Sequence, residues 1–126
     1  MAITQLKSKR KITGGLYKNL KGKKLHSLAS LPAYTKIDKR KLIRKRTQGN
    51  NLKIALLNED FVNVFDKKTG KYVKTKILTV VDNPANRNFI RRNIITKGCV
   101  IKTELGNVKI TSRPGQHGTI NGVLQA

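Results

Sequence analysis

The sequence predicts a mainly β protein: a small antiparallel β-barrel behind an extended basic N-terminal arm. Three observations predict it. Beyond about residue 34, short segments alternate apolar and polar residues and are separated by turn formers, the pattern of half-buried strands. Five or six such segments at hairpin spacing suggest a closed barrel or sandwich. Upstream, residues 7–26, "KSKRKITGGLYKNLKGKKLH", carry eight Lys or Arg and no acid. Residues 1–34 are therefore assigned to the extension and residues 35–126 to the barrel domain.

In the extension, Leu16, Leu20 and Leu25 form no helical stripe, and Gly14, Gly15 and Gly22 interrupt them. Such a segment buries too little apolar surface to offset its ordering entropy. It is expected to be unfolded alone and to order on a polyanion. In the barrel region, residues 41–48, "KLIRKRTQ", read as a highly charged strand closed by Gly49, Asn50 and Asn51. Leu52, Ile54 and Leu56 alternate with Lys53 and Ala55 in the next strand, and "FVNVFD" continues after the Glu59-Asp60 break. "DKKTGK" gives a turn in which Gly70 is free to take positive φ.

Residues 72–81 place Val73, Ile77 and Val81 on one face and Lys74 and Lys76 on the other. "DNPANRNFIRRN" then interrupts the strands: Asn83-Pro84 favours a turn, and residues 85–92 suit one or two helical turns. Strands resume at 98–105 and 108–112 around a Leu105-Gly106-Asn107 hairpin. "RPGQHG" reads as a loop and "TINGVLQ" as a short final strand.

Charge bounds the partner. The chain of 126 residues has 28 Lys and Arg against 6 Asp and Glu, a formal net charge of +22. A compact state so charged repels itself unless a polyanion supplies counter-charge. Nucleic acid is the leading partner and an anionic membrane the second. No run approaches the roughly 18 apolar residues of a spanning helix, and neither a basic amphipathic helix nor a signal-peptide core stands out. No membrane partner is expected. The single cysteine, Cys99, permits no internal disulfide and fits a reducing compartment, with the cytoplasm as default.

Catalytic groups do not converge. The histidines are His26, in the basic tail, and His117, in a glycine-rich loop. Cys99 beside Val100 reads as a packed small hydrophobe rather than an activated thiol. These three scattered residues cannot supply the four ligands of a zinc site. Glu59 and Asp60 are the only adjacent acids, and a strand would point them to opposite faces. Thr13-Gly14-Gly15 lacks the remainder of a phosphate loop. No enzyme activity, small-molecule substrate, cofactor or metal is expected.

The cations are organised. In the tail they cluster at Lys7, Lys9, Arg10 and Lys11, and again at Lys18, Lys21, Lys23 and Lys24. In the barrel region they recur at Lys39, Arg40, Lys41, Arg44, Lys45 and Arg46, and at Arg87, Arg91 and Arg92. One such run is often a solvated face, but six acids cannot pair with most of these cations. Gly14 and Gly15, like Gly115 and Gly118, let backbone amides approach phosphate, although turn chemistry also accounts for the later pair. No helix for a DNA major groove is visible. Nor is there an aromatic-rich strand for single-stranded RNA among Tyr17, Tyr34, Phe61, Phe65, Tyr72 and Phe89. A charged barrel with a long arm suits shape-and-phosphate recognition of folded RNA.

"KRKITGG" near the N-terminus and "VVDNPANRNFIRRNIITKGCVIKTELGNVKITSRPGQHGTINGVL" resemble the small-subunit ribosomal protein family eight-e of archaea and eukaryotes. The resemblance covers nearly the whole chain, whose compact length is similar to the archaeal form. It implies a β-barrel body, a basic extension laid into small-subunit ribosomal RNA, neighbouring ribosomal proteins and no catalysis. Matching positions are Lys9, Arg10 and Lys11 with Thr13, Gly14 and Gly15; Asp82-Asn83-Pro84; Arg91-Arg92-Asn93; and Arg113, Pro114, Gly115 and Gln116. The chain departs from the family at Ser27-Leu28-Ala29, where Glu-Leu-Gly is frequent, and at His117, where an acid is frequent. Two other classes share some of these features. A free nucleic-acid chaperone or chromatin-compacting protein would have similar charge, and a small-barrel hydrolase would need a polar cluster that is not found.

Overall fold

The computed structural model describes residues 3, 4, 7–18, 22 and 24–125. It divides into two units, Met1–Pro32 and Ala33–Ala126.

In the first unit, β1 (Ile3–Thr4) pairs antiparallel with β2 (Leu28–Ala29). Between them the backbone closes a tight turn over residues 9–17. Lys11 N–H donates to the Gly15 carbonyl at 2.8 Å, Gly14 N–H to Lys11 at 3.0 Å, and Tyr17 N–H to Lys9 at 2.8 Å. The turn requires φ +85° at Gly14, a conformation without penalty only for glycine. None of the described side chains of this unit is buried. Local backbone bonds give these residues a shape, and no core accompanies it among the described residues.

The second unit begins with a hairpin of β3 (Lys41–Arg46) and β4 (Leu52–Asn58), a separate two-stranded sheet. Then β5 (Phe61–Phe65), β6 (Tyr72–Asp82), β7 (Val100–Thr103), β8 (Gly106–Ile110) and β9 (Asn121–Leu124) close a barrel in sequence order. Each successive pair is antiparallel, and β5 closes on β9 in parallel. The predicted barrel therefore has one parallel seam. An odd number of strands running alternately up and down leaves the first and last pointing the same way.

The barrel interior is filled by β-branched residues from alternate strand positions: Val62, Val64, Ile77, Val80, Ile101, Val108 and Ile110, joined by Leu56, Ile95, Cys99 and Ile120. Each large aliphatic side chain so buried contributes about 1.5–3 kcal/mol relative to exposure.

Three expectations need correction. On β6 the inward residues are Thr75, Ile77 and Val80, whereas Val73 and Val81 are exposed. Register shifts after Ile77 and after Val80 break the period of two, as an extra bulged residue does. The β7–β8 turn is Glu104-Leu105, one residue earlier than read, because Thr103 pairs with Gly106, which takes φ +129°. Residues 113–118 are not an irregular loop: Pro114–His117 form one helical turn (α2), opened by Pro114 and stopped by Gly118 at φ +69°.

The insertion between β6 and β7 contains the one-turn helix α1 (Asn88–Arg91) and is organised by a buried amide. Asn83 donates through Nδ2 to the Ile94 carbonyl at 3.1 Å. Its Oδ1 accepts from Ala85 N–H at 3.1 Å and Thr96 Oγ1 at 2.9 Å. Residues 35 and 36 tie this insertion to the hairpin, since Thr35 accepts from Ile95 N–H while Lys36 bonds Leu57 and Glu59.

Candidate nucleic-acid interface

Every described member of the predicted set is exposed: Lys7, Lys9, Arg10, Lys11, Thr13, Gly14, Gly15, Lys18, Lys24, Lys39, Arg40, Lys41, Arg44, Arg46, Arg87, Arg91, Arg92, Arg113 and Gln116. Lys21 and Lys23 lie outside the described residues.

The glycine turn of the first unit carries a cationic rim. The Arg10 guanidinium donates to the Gly14 carbonyl at 2.8 Å, which ties its head group across the turn. The Lys7 and Lys11 ammonium groups each lie 5.5 Å from the Tyr17 ring centre, within cation–π range. Gly14 uses its own N–H to close the turn, so that N–H is not free for an external acceptor.

The β3–β4 hairpin concentrates charge by register. Arg44 lies opposite Ile54, Arg46 opposite Leu52, and Lys45 directly opposite Lys53. Like charges opposite each other on an antiparallel pair repel, so the hairpin carries a local cost that a polyanion would relieve. Lys53 was absent from the predicted set. It is legible only once the hairpin register is known.

The hairpin is held by its base and flank. Leu56 is fully buried, whereas Leu52 at the far end is 67 % exposed. Ile54 forms an isolated backbone bridge with His117, which seats α2 against β4. His117 Nδ1 accepts the Arg113 N–H at 3.2 Å, closing the α2 turn. The structure thereby places Gln116 on an element packed against the basic hairpin, with Arg113 at that element's N-terminal cap.

Arg40 has a different task. It meets Glu59 at 3.3 Å, and that carboxylate side chain is only 8 % exposed. This is the only ion pair among the described residues. Arg40 neutralises a buried acid, so its charge is engaged within the protein.

The second basic cluster stands on the insertion. Arg92 lies 5.9 Å over the Tyr34 ring, and Tyr34 meets Phe89 edge-on with centroids 5.7 Å apart. Arg91 ends α1 and is exposed. Neither arginine forms an ion pair with Asp82. The described residues hold no cluster of three His, Cys, Asp or Glu side chains suited to a metal. Cys99 is buried, and burial pushes its thiol pKa up, away from thiolate chemistry. No helix among the described residues is long and apolar enough to cross a membrane.

Sequence reading also missed an aromatic surface. Val62 and Val64 point into the barrel, which turns Phe61, Asn63 and Phe65 outward. The strict alternation of "FVNVF" carried that signal.

The chain matches the family model described as ribosomal protein S8e over residues 4–125. It is 48 % identical over 120 residues to the small ribosomal subunit protein eS8 of Nanoarchaeum equitans, covering 95 % of this chain and 94 % of that one. The protein of the same name from Methanocorpusculum labreanum is 50 % identical over 122 residues, covering 97 % and 98 %. That from Methanobrevibacter smithii is 44 % identical over 124 residues, covering 98 % and 99 %.

Proposed function

This chain belongs to the ribosomal protein S8e family, a family of ribosomal structural proteins and not of enzymes, and on that premise we propose how it serves the small subunit. It binds folded ribosomal RNA through phosphate contacts made by the basic arm (residues 1–34) and by the hairpin and loops of the barrel domain (residues 35–126). It works in the cytoplasm, among neighbouring small-subunit proteins.

The observation that carries this reading is the unpaired charge. The chain has 28 Lys and Arg, and only Arg40 among the described residues meets a carboxylate. Cations left without internal partners, including the opposed Lys45 and Lys53, are poised to neutralise phosphates and release condensed counterions. Extended and looped segments suit grooves between RNA helices, where shape and phosphate positions are read without base edges.

Sedimentation tests it. At near-physiological salt the protein should sediment with the small subunit, and it should leave the subunit only as salt rises. Redistribution over other nucleic acids would instead identify a free nucleic-acid chaperone.

A further inference from the structure

We infer that the outer face of β5, β6 and β9 is a stacking platform for unpaired RNA bases, distinct from the phosphate-binding arm and hairpin. The inference rests on the RNA-binding reading above and adds a second mode of contact to it.

Register builds the platform. Phe65 lies opposite Tyr72 on one side and Val123 on the other, and Val123 lies opposite Lys109. The next row sets Lys74, Asn63 and Asn121 side by side, and the third sets Phe61 opposite Lys76. Tyr72 is 74 % exposed and Phe61 39 % exposed. Phe65 and Tyr72 rings sit 4.9 Å apart at 40°, and the Lys74 ammonium stands 4.7 Å from the Phe61 ring centre. Asn63 Nδ2 donates to Asn121 Oδ1 at 3.0 Å, which fixes the middle row.

The chemistry selects the occupant. Exposed rings interleaved with lysines on a sheet are the arrangement on which nucleobases stack while ammonium groups meet the backbone. No carboxylate among the described residues pairs with Lys74, Lys76 or Lys109. Asp66, next to Phe65, is engaged in its own turn, accepting from Lys68 N–H and Thr69 Oγ1, each at 2.9 Å. An apolar protein surface would have to cover these lysines without supplying counter-charge. A single strand of RNA supplies both flat bases and phosphates.

The test uses the full chain, single-stranded oligouridine and an RNA duplex of matched length, titrated over several potassium concentrations. Replacing both Phe61 and Tyr72 by Leu should weaken oligouridine binding by about ten-fold or more. Duplex binding and the salt slope should not change, because no cation is removed. Tyr72→Phe keeps the flat ring and should bind as the parent does. Equal losses for oligouridine and duplex, or no loss for either, would overturn the platform; the latter is the outcome for a face made to dock a protein. On the unaltered protein, photocross-links from thiouridine-substituted oligouridine should fall on Phe61, Phe65 or Tyr72, and links confined to the arm would overturn it. A steep salt slope retained alongside either negative result would leave the phosphate-binding reading standing.

Discussion

Gly122 lies where β9 approaches β8 too closely for any side chain: a Cβ there would press on Val108 Cγ1 and stand 3.0 Å from the Lys109 carbonyl. Val108 is fully buried and bounded by other core side chains, so it has little room to yield. Gly122→Ala should therefore cost about 1–3 kcal/mol of stability, read as a lower thermal midpoint by circular dichroism. Cys99 makes a second residue-scale case. Burial raises its thiol pKa above the ordinary 9.0, so the folded state holds its proton more tightly than the unfolded chain. That contribution is fully present below the ordinary thiol pKa and is lost as pH rises through the folded value. Cys99→Ser or Cys99→Ala should accordingly flatten part of the stability loss seen above that pH, while the parent thiol should resist an aromatic disulfide reagent until the protein unfolds. The packed-hydrophobe role of Cys99 was legible in the sequence, because it follows from an apolar neighbour and the lack of an activating group. The need for glycine at 122 was not. It depends on which residue of β8 lies opposite, and nothing local to "TINGVLQ" reveals that.

Elements were legible where their signal was local. The turn at "DKKTGK", the hairpin strands and the helical turn after Asn83-Pro84 each follow from residue chemistry within a few positions. The inward face of β6 was not, because its bulges are set by pairing with β7. Pairing also sets the charge of the β3–β4 hairpin. Lys53→Glu would place an acid opposite Lys45 and convert a repulsive cross-strand pair into an attractive one. The variant should be more stable by about 0.2–1 kcal/mol and yet bind RNA more weakly, an opposition that a purely structural hairpin would not show. Thermal melts and RNA titrations on the same variant check both halves. The α1 insertion gives the complementary case. Arg92 contributes about 0.5–1 kcal/mol through its position over Tyr34, and Arg91 is exposed without an ion pair. Replacing both with Gln should lower the melting temperature by no more than the few degrees this contact accounts for, while reducing RNA affinity and lowering the salt slope by about 0.7–0.9 for each phosphate no longer neutralised. A large drop in stability with unchanged binding would assign these arginines to the fold instead.

At the scale of the whole molecule, the candidate site was legible as charge and only partly as place. The imbalance of 28 basic against 6 acidic residues favours an external polyanion whatever the fold. Sequence cannot say that α2 packs against β4 of the basic hairpin or that Arg40 is committed to Glu59, because both depend on contacts between distant segments. Long-range charge is thus the property on which the mechanism stands, and salt is its direct probe. If phosphates carry the affinity, each neutralised phosphate releases counterions and binding weakens as potassium rises. On the order of 6–10 neutralised phosphates give a log–log slope of several units. Deleting residues 1–24 removes the turn with Lys9, Arg10 and Lys11, the lysines at 7, 18, 21, 23 and 24, and no residue of the buried core. The truncated protein should keep its β circular dichroism and its melting transition. Its RNA binding should be much weaker and its salt slope shallower, and the difference between the two slopes measures how many phosphates the arm neutralises. A slope near one for the full-length protein would sink phosphate neutralisation as the source of affinity. Loss of the β signal on truncation would instead place the boundary between arm and barrel further upstream.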